Sequence, residues 1–253
     1  MKRILITGAS GFIGWHTLRI CSKFYPNTEI VGIYRFSKPK YDAENVRWIQ
    51  ADLCEPTDLG KLPKTYDIII HLAGDRRGFV SLKEYHFQLE ANVVMTSSLA
   101  DHAGQAGCKS FIYASSVYAY SGVEKSPFVE DEIAIPVEML GASKIASESL
   151  LKARAKNGQF NCLVLRVFTV YGPGSVPTQF VPIAIKKIKQ AGKKVKFGSS
   201  LVKRDFIYVE DVAEAFAKSV RVAIEQYDSY DVINLGTGIG TPVRKLVSEI
   251  KDI

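Results

Sequence analysis

ITGASGFIG, residues 6–14, follows a short apolar run near the start of the chain and opens a helical pattern. It carries Gly8, Gly11 and Gly14 in the spacing GxxGxxG, with Phe12 and Ile13 between the last two glycines. A tight turn, a close backbone approach and an exposed helix N-terminus together cradle a pyrophosphate. The spacing is not the GxGxxG of the usual dinucleotide fingerprint. No Lys-Ser/Thr pair follows it, as a nucleoside-triphosphate loop would require. Set between a first strand and a first helix, the triplet reads as a dinucleotide loop rather than a bare structural turn.

Outward from the loop, short β-rich runs alternate with helical patterns. RILITG leads into FIGWHTLRICSKF, then come EIVGIYR, VRWIQADL and YDIIIHLAG, followed by a helical stretch from about 81 to 104. KSFIYASS, the helix holding GASKIASESLLKARAK, and CLVLRVFTVYG close the series. Continuous apolar runs bounded by glycine predict strands buried on both faces, hence a parallel sheet with helices on either side. The expected fold is α/β, a Rossmann-type doubly wound parallel sheet. Residues 1–172 read as its nucleotide-binding domain. Residues 173–253 read as a mixed region, in which segments of a small substrate lobe interleave with returning sheet elements. Helices are expected near 177–191, 209–226 and 241–251, and short strands at KVKFG and DVINLG.

With 253 residues, 47% of them hydrophobic, the chain suits one globular domain with a large core. No run approaches the length of a membrane span. The start of the chain reads as a strand rather than a signal segment, so export is not expected. Four scattered cysteines and four scattered histidines suggest neither a metal site nor a disulfide framework, which fits a reducing cytoplasm. His16 and His71 lie in apolar surroundings and read as core histidines. The net charge of +7 favours anionic ligands such as phosphates. Much of it lies in residues 186–204, KKIKQAGKKVKFGSSLVKR, which reads as the solvated face of a helix and the strand after it. The aromatics that nucleic-acid binding would interleave there are mostly missing, so a nucleic-acid partner is not expected.

TGASGFIG, ADLCEP, HLAG, ANVVMT, YASSVYAYSG, GASKIASE, RVFTVYGP, RDFIYVEDVAEA and NLGTGIGTPV occur in this order along nearly the whole chain. As a set they resemble the extended short-chain dehydrogenases, the NAD-dependent epimerases and dehydratases that act on nucleotide sugars. The resemblance implies a nicotinamide dinucleotide cofactor, a nucleotide-diphosphate sugar as partner and a homodimer paired through the helices around 81–104 and 141–156. It implies that Asp52, with Leu53 beside it, meets the adenine, although Asp52 also suits a helix N-cap. Leu72, Ala73 and Gly74 would let the cofactor approach the fourth strand, and Asn92 would help hold the central strands. Val167 and Phe168 would pack along the nicotinamide.

The second strand ends in Tyr34 and Arg35, with Ser37 and Lys38 nearby. A carboxylate there would favour the ribose hydroxyls of NAD. A cation in its place favours the 2′-phosphate of NADP, so the expectation is NADP ahead of NAD.

The family's chemistry uses a Ser or Thr, a Tyr, and a Lys four residues after that Tyr on the same helix face. Ser116 takes the serine position, with Ser115 as the fallback, and Lys144 takes the lysine position. Four residues before Lys144 stands Leu140, which has no proton to give. Three alternatives follow: Tyr118 or Tyr120 substitutes, the chain binds cofactor and sugar nucleotide with no turnover or very slow turnover, or Leu140 is a tolerated or introduced change. A lost acid or base costs on the order of 10²–10⁴ in rate. No acidic pair follows Ser116, which disfavours 4,6-dehydration, and epimerisation or ketoreduction at sugar C4 remains. Arg204 matches the family's phosphate-binding arginine, unless it pairs with Asp205 or Asp211, and Thr169 stands where the family often has Asn. Family members continue for roughly another 60 residues, so the substrate lobe is expected to be incomplete here, whether the protein is naturally short or lacks a part. The rival reading is a non-catalytic NAD(P)-binding regulatory or scaffold protein on the same fold.

Overall fold

The apolar runs become strands because both of their faces are covered. The computed structural model describes residues 1–76, 81–124, 126–191, 202–225 and 229–251. Its strands are β1 (Arg3–Thr7), β2 (Glu29–Tyr34), β3 (Val46–Gln50), β4 (Ile68–His71), β5 (Ser110–Ser116), β6 (Asn161–Val167), β7 (Thr169–Tyr171), β8 (Lys203–Tyr208), β9 (Tyr230–Leu235) and β10 (Gly240–Pro242). The helices are α1 (Phe12–Phe24), α2 (Leu82–Leu89), α3 (Met95–Gln105), α4 (Met139–Lys156), α5 (Phe180–Ala191), α6 (Val209–Glu225) and α7 (Val243–Lys251).

Seven strands form one sheet in the order β3-β2-β1-β4-β5-β6-β9. Every adjacent pair in it is parallel. This is the Rossmann arrangement expected from the alternation of runs. The strand order reverses between β1 and β4, which opens a crevice at the carboxyl ends of the strands, where such sheets bind ligands. The remaining strands make a small sheet in the order β10-β8-β7.

Period-two alternation splits each central strand between two cores. Leu5, Ile69, Phe111 and Tyr113 join Leu99, Ala103 and Leu151 under α3 and α4. Ile4, Ile6, Ile70 and Ile112 join Leu18, Val212, Phe216 and Val220 under α1 and α6. β4, IIIH, is buried along its whole length, as a central parallel strand must be.

The helical stretch expected from 81 to 104 is not one regular helix. A π turn over Glu90–Val94 separates α2 from α3. At its centre the Asn92 carbonyl accepts hydrogen bonds from the hydroxyls of Thr96 (2.5 Å) and Ser147 (2.8 Å). A π turn inside a helix often marks a functional position. The strand expected at KVKFG lies outside the described residues.

Candidate active site

The glycine loop is shaped by close approach. Gly8 has φ +64°, and a Cβ there would lie 2.7 Å from the Ala73 amide nitrogen. A Cβ on Gly14 would collide with the Gly8 carbonyl oxygen. α1 starts at Phe12 with no side-chain cap and no acidic residue in its first turn. Its first-turn N–H groups are therefore left without a side-chain cap, as an anion site at a helix N-terminus requires. Phe12 and Ile13 are half-buried on that turn. These features fit a dinucleotide pyrophosphate.

At the end of β2, Arg35 is 41% exposed, lies 4.3 Å above the Phe36 ring and stands 3.7 Å from Asp52. Asp52 is not a helix N-cap in the usual sense: its carboxylate accepts from the Cys54 N–H (3.1 Å), two residues on, in a local turn. Leu53 is buried in the α3/α4 core. One candidate adenine contact, Asp52, is thus also the counterion of the candidate ribose contact, Arg35.

After β4 the chain passes through Leu72, Ala73 and Gly74. The Ala73 N–H reaches the Thr7 hydroxyl at 3.3 Å. Asn92 pins the next residue from both sides, accepting from the Asp75 N–H (2.8 Å) and donating to the Asp75 carbonyl (2.8 Å). Its amide also donates to Ser143 of α4 (2.9 Å), joining this loop to α4. His71 is fully buried between the hydroxyls of Thr7 (2.6 Å) and Thr96 (2.9 Å). Burial, and secondarily the Lys144 charge, push its pKa down to about 3.

Lys144 stands in the second turn of α4 and is buried. Its Nζ donates to the Ala114 carbonyl (2.9 Å) and sits 4.8 Å from the Tyr113 ring centroid. A Cβ on Gly74 would lie 3.4 Å from that nitrogen. Burial lowers its pKa to about 8, against an opposing effect of Glu148. Ser116 lies two residues past Ala114, half-buried, and its Oγ accepts from the Tyr118 N–H (3.3 Å). The neighbouring Ser115 faces the other way: it is buried and donates to Glu148. That disposition separates the two serines, which the sequence could not do. Leu140 is half-buried on the first turn of α4. The turn is seated on residues 117–120, since a Cβ on Gly141 would strike the Tyr118 carbonyl oxygen.

Two residues of the site carried no assigned role in the sequence. Glu148 forms a two-pronged pair with Arg166 of β6 (2.7 and 3.2 Å), and Arg166 also donates to the Tyr120 hydroxyl (2.5 Å). Tyr120 donates in turn to Asn234 (3.0 Å). A charge inside the apolar run CLVLRVF was the available signal, because a buried arginine needs a carboxylate. Tyr120, considered as a substitute acid, is fully buried and occupied on both sides.

Val167 is buried in the α1/α6 core, whereas Phe168 is only half-buried and packs toward Gly236. Of the two, Phe168 is the one open to a ligand. In the small sheet Thr169 pairs with Phe206, and Arg204 pairs with Thr241. Paired residues and residues two apart share a face, so Thr169 and Arg204 lie on the same face. Arg204 is exposed and makes no ion pair among the described residues. Asp205 turns to the opposite face and accepts from Thr237 and Gly238. Among the described residues no group of His, Cys, Asp and Glu could hold a metal. No described helix is long and apolar enough to cross a membrane.

Residues 4–236 match the NAD dependent epimerase/dehydratase family. The chain belongs to this family. The dTDP-D-glucose 4,6-dehydratase of Mus musculus is 28% identical over 262 residues, covering 98% of this chain and 72% of that protein. A solved structure of MoeE5 in complex with UDP-glucose and NAD is 30% identical, with a TM-score of 0.86, covering 99% of this chain and 81% of the other. The UDP-glucuronic acid 4-epimerase of Bacillus cereus, solved with UDP-glucuronic acid and NAD, is 27% identical. Its TM-score is 0.85, and the match covers 99% of this chain and 82% of the other. The family places the chain among NAD-dependent enzymes of the extended short-chain dehydrogenase type, whose members here are nucleotide-sugar epimerases and dehydratases.

Proposed function

We propose that this family member is an NAD(P)-dependent nucleotide-sugar 4-epimerase or 4-ketoreductase. The observation that carries the reading is the position of Lys144, whose Nζ lies against Ala114, two residues before Ser116, and beneath Gly74. It supports a site at the carboxyl ends of β4 and β5 in which sugar and nicotinamide would meet. A bound nicotinamide dinucleotide supplies hydride acceptance and return.

In this reading the N-terminus of α1, with Gly8, Gly11, Phe12, Ile13 and Gly14, holds the pyrophosphate. Asp52 and Leu53 border the adenine, and Leu72, Ala73, Gly74 and Asn92 form the wall beside the nicotinamide ribose, which Lys144 holds. Phe168 packs along the nicotinamide, with Val167 behind it. Ser116 orients the sugar oxygen, and Thr169 and Arg204 take the diphosphate. NADP is preferred over NAD because β2 ends on Arg35 rather than a carboxylate. Val117 and Tyr118 after Ser116 supply no acid for dehydration.

The protein is read as a cytoplasmic homodimer. No disulfide links its four cysteines, and Leu89 and Val94, at the α2–α3 junction, are exposed apolar side chains suited to a second copy. The division into residues 1–172 and 173–253 belongs to the same reading. Sedimentation of Val94→Asp tests the pairing: a monomeric variant of a dimeric protein supports it, and a monomeric unmodified protein rejects it.

One observation favours a second reading, a cofactor-binding protein without chemistry: Leu140 stands where a proton donor is needed. The experiment is incubation of purified protein with NAD or NADP and with UDP-, GDP- and dTDP-sugars, followed by NMR of the sugar. A C4-epimer or a 4-keto sugar supports the enzyme. No product with any donor, despite dinucleotide binding, supports the second reading.

A further inference from the structure

We propose that Lys144 is itself the proton-transferring group of this site, performing through its Nζ the task for which position 140 has no donor. The inference rests on the C4 reading above. It begins from which hydroxyls remain. Tyr120 is committed to Arg166 and Asn234. Tyr113 is fully buried, and burial pushes its hydroxyl far above the usual phenol range. Tyr118 is half-buried and is left as the competing donor.

Lys144 meets the geometric requirement differently. Among the described residues its nitrogen makes one hydrogen bond, to the Ala114 carbonyl, at the end of β5 that carries Ser116. It also lies beneath Gly74, an exposed glycine whose missing side chain leaves the nitrogen next to the crevice. The groups around it do not fix its charge. Glu148, one turn on, is held by Arg166 of β6. Tyr113 of β5 presents a ring face, and His71 of β4 is kept neutral by burial. A desolvated amine of this kind exchanges its proton close to neutral pH, as a general acid or base must.

In the oxidative direction the neutral amine takes the proton of the C4 hydroxyl and becomes an ammonium. The oxygen keeps the O–H electron pair and closes a C=O bond, while the C4 hydrogen leaves with its own pair as the hydride that the dinucleotide accepts. On return the hydride re-forms the C4–H bond, and the ammonium gives its proton to the oxygen, regenerating the neutral amine. No further reactant is required.

The test uses the full chain with lysine labelled with ¹³C at Cε, and four variants: Lys144→Arg, Leu140→Tyr, the two combined, and Tyr118→Phe. In the unmodified protein the Lys144 resonance is expected to titrate near pH 8, and turnover is expected to rise with pH through the same midpoint. Lys144→Arg keeps a cation that does not deprotonate. It is expected to bind dinucleotide within about 3-fold of the unmodified protein by tryptophan fluorescence, yet to lose turnover by ~10²-fold or more. Adding Leu140→Tyr to that variant is expected to restore turnover at least ~10-fold, because a second donor relieves the need for the amine. The proposal is overturned if the two midpoints differ by more than a unit, if Lys144→Arg turns over normally, or if Tyr118→Phe removes turnover as fully as Lys144→Arg. Should Lys144→Arg not fold, agreement or disagreement of the two midpoints decides. Turnover by Leu140→Tyr but not by the unmodified protein removes the role of Lys144 and leaves the enzyme reading standing. No turnover by either removes both.

Discussion

Glu148 stands one helical turn beyond Lys144, yet its carboxylate is bound by Arg166 of the neighbouring strand rather than by the ammonium. Both partners are nearly buried, at 5% and 7% side-chain exposure. Arg166→Ala would strand a buried carboxylate and is expected to cost ~3–5 kcal/mol of stability in urea denaturation. Replacing both members with leucine should recover much of that loss. A cost below ~1 kcal/mol for the single substitution would show that the pair is not desolvated as described.

Because Arg166 takes Glu148, Lys144 is buried without a dedicated counterion among the described residues. Its folded pKa of about 8 lies below the ordinary lysine value of 10.5. Between those two values the unfolded chain holds a proton that the fold does not. Stability therefore falls as the pH drops from about 10.5 to 8, and the penalty stays constant below that. Lys144→Met is expected to raise the stability of the ligand-free protein at pH 7 by about 1–3 kcal/mol while abolishing dinucleotide binding. A destabilised variant would contradict this.

His71 carries a sign that matters in acid. Its folded pKa, about 3, is below the ordinary 6.5, so below pH 6.5 the unfolded chain takes a proton that the fold refuses. From this group stability is expected to fall as pH drops from 6.5 toward 3, by at most ~1.4 kcal/mol per unit, and to stop falling below that. Imidazole NMR provides the check: a His71 resonance that titrates near 6.5 would reject the assignment.

Arg35 offers a cofactor test. Arg35→Ala is expected to weaken NADP by about 10-fold or more, the worth of a charge-assisted contact, and NAD by much less. Equal weakening of both would mean that Arg35 serves only Asp52 and Phe36.

At the other end of the site, Arg204→Ala should raise the KM for a nucleotide-diphosphate sugar by about 10-fold or more while changing kcat little, as expected when uniform binding is lost. An unchanged KM would remove Arg204 from the substrate site.

The order of the fold was legible in the chain itself. Apolar runs bounded by glycine imply doubly covered parallel strands, and GxxGxxG between the first strand and first helix implies an anion cradle, because backbone sterics and exposed N–H groups are local properties. Spacing alone also placed Leu140 on the helix face that Lys144 shares. What the chain did not reveal was pairing at long range. Glu148 is four residues from Lys144 and eighteen from Arg166, so local spacing favours the wrong partner. β6 brings the guanidinium to the carboxylate instead, and a fixed bidentate fork satisfies both of its oxygens. The same packing turned Ser115 toward Glu148 and Ser116 away from it, joined Arg35 to Asp52, and divided the helix around Asn92 with a π turn. Such choices depend on which polar groups are buried together, and burial exists only once the sheet has formed.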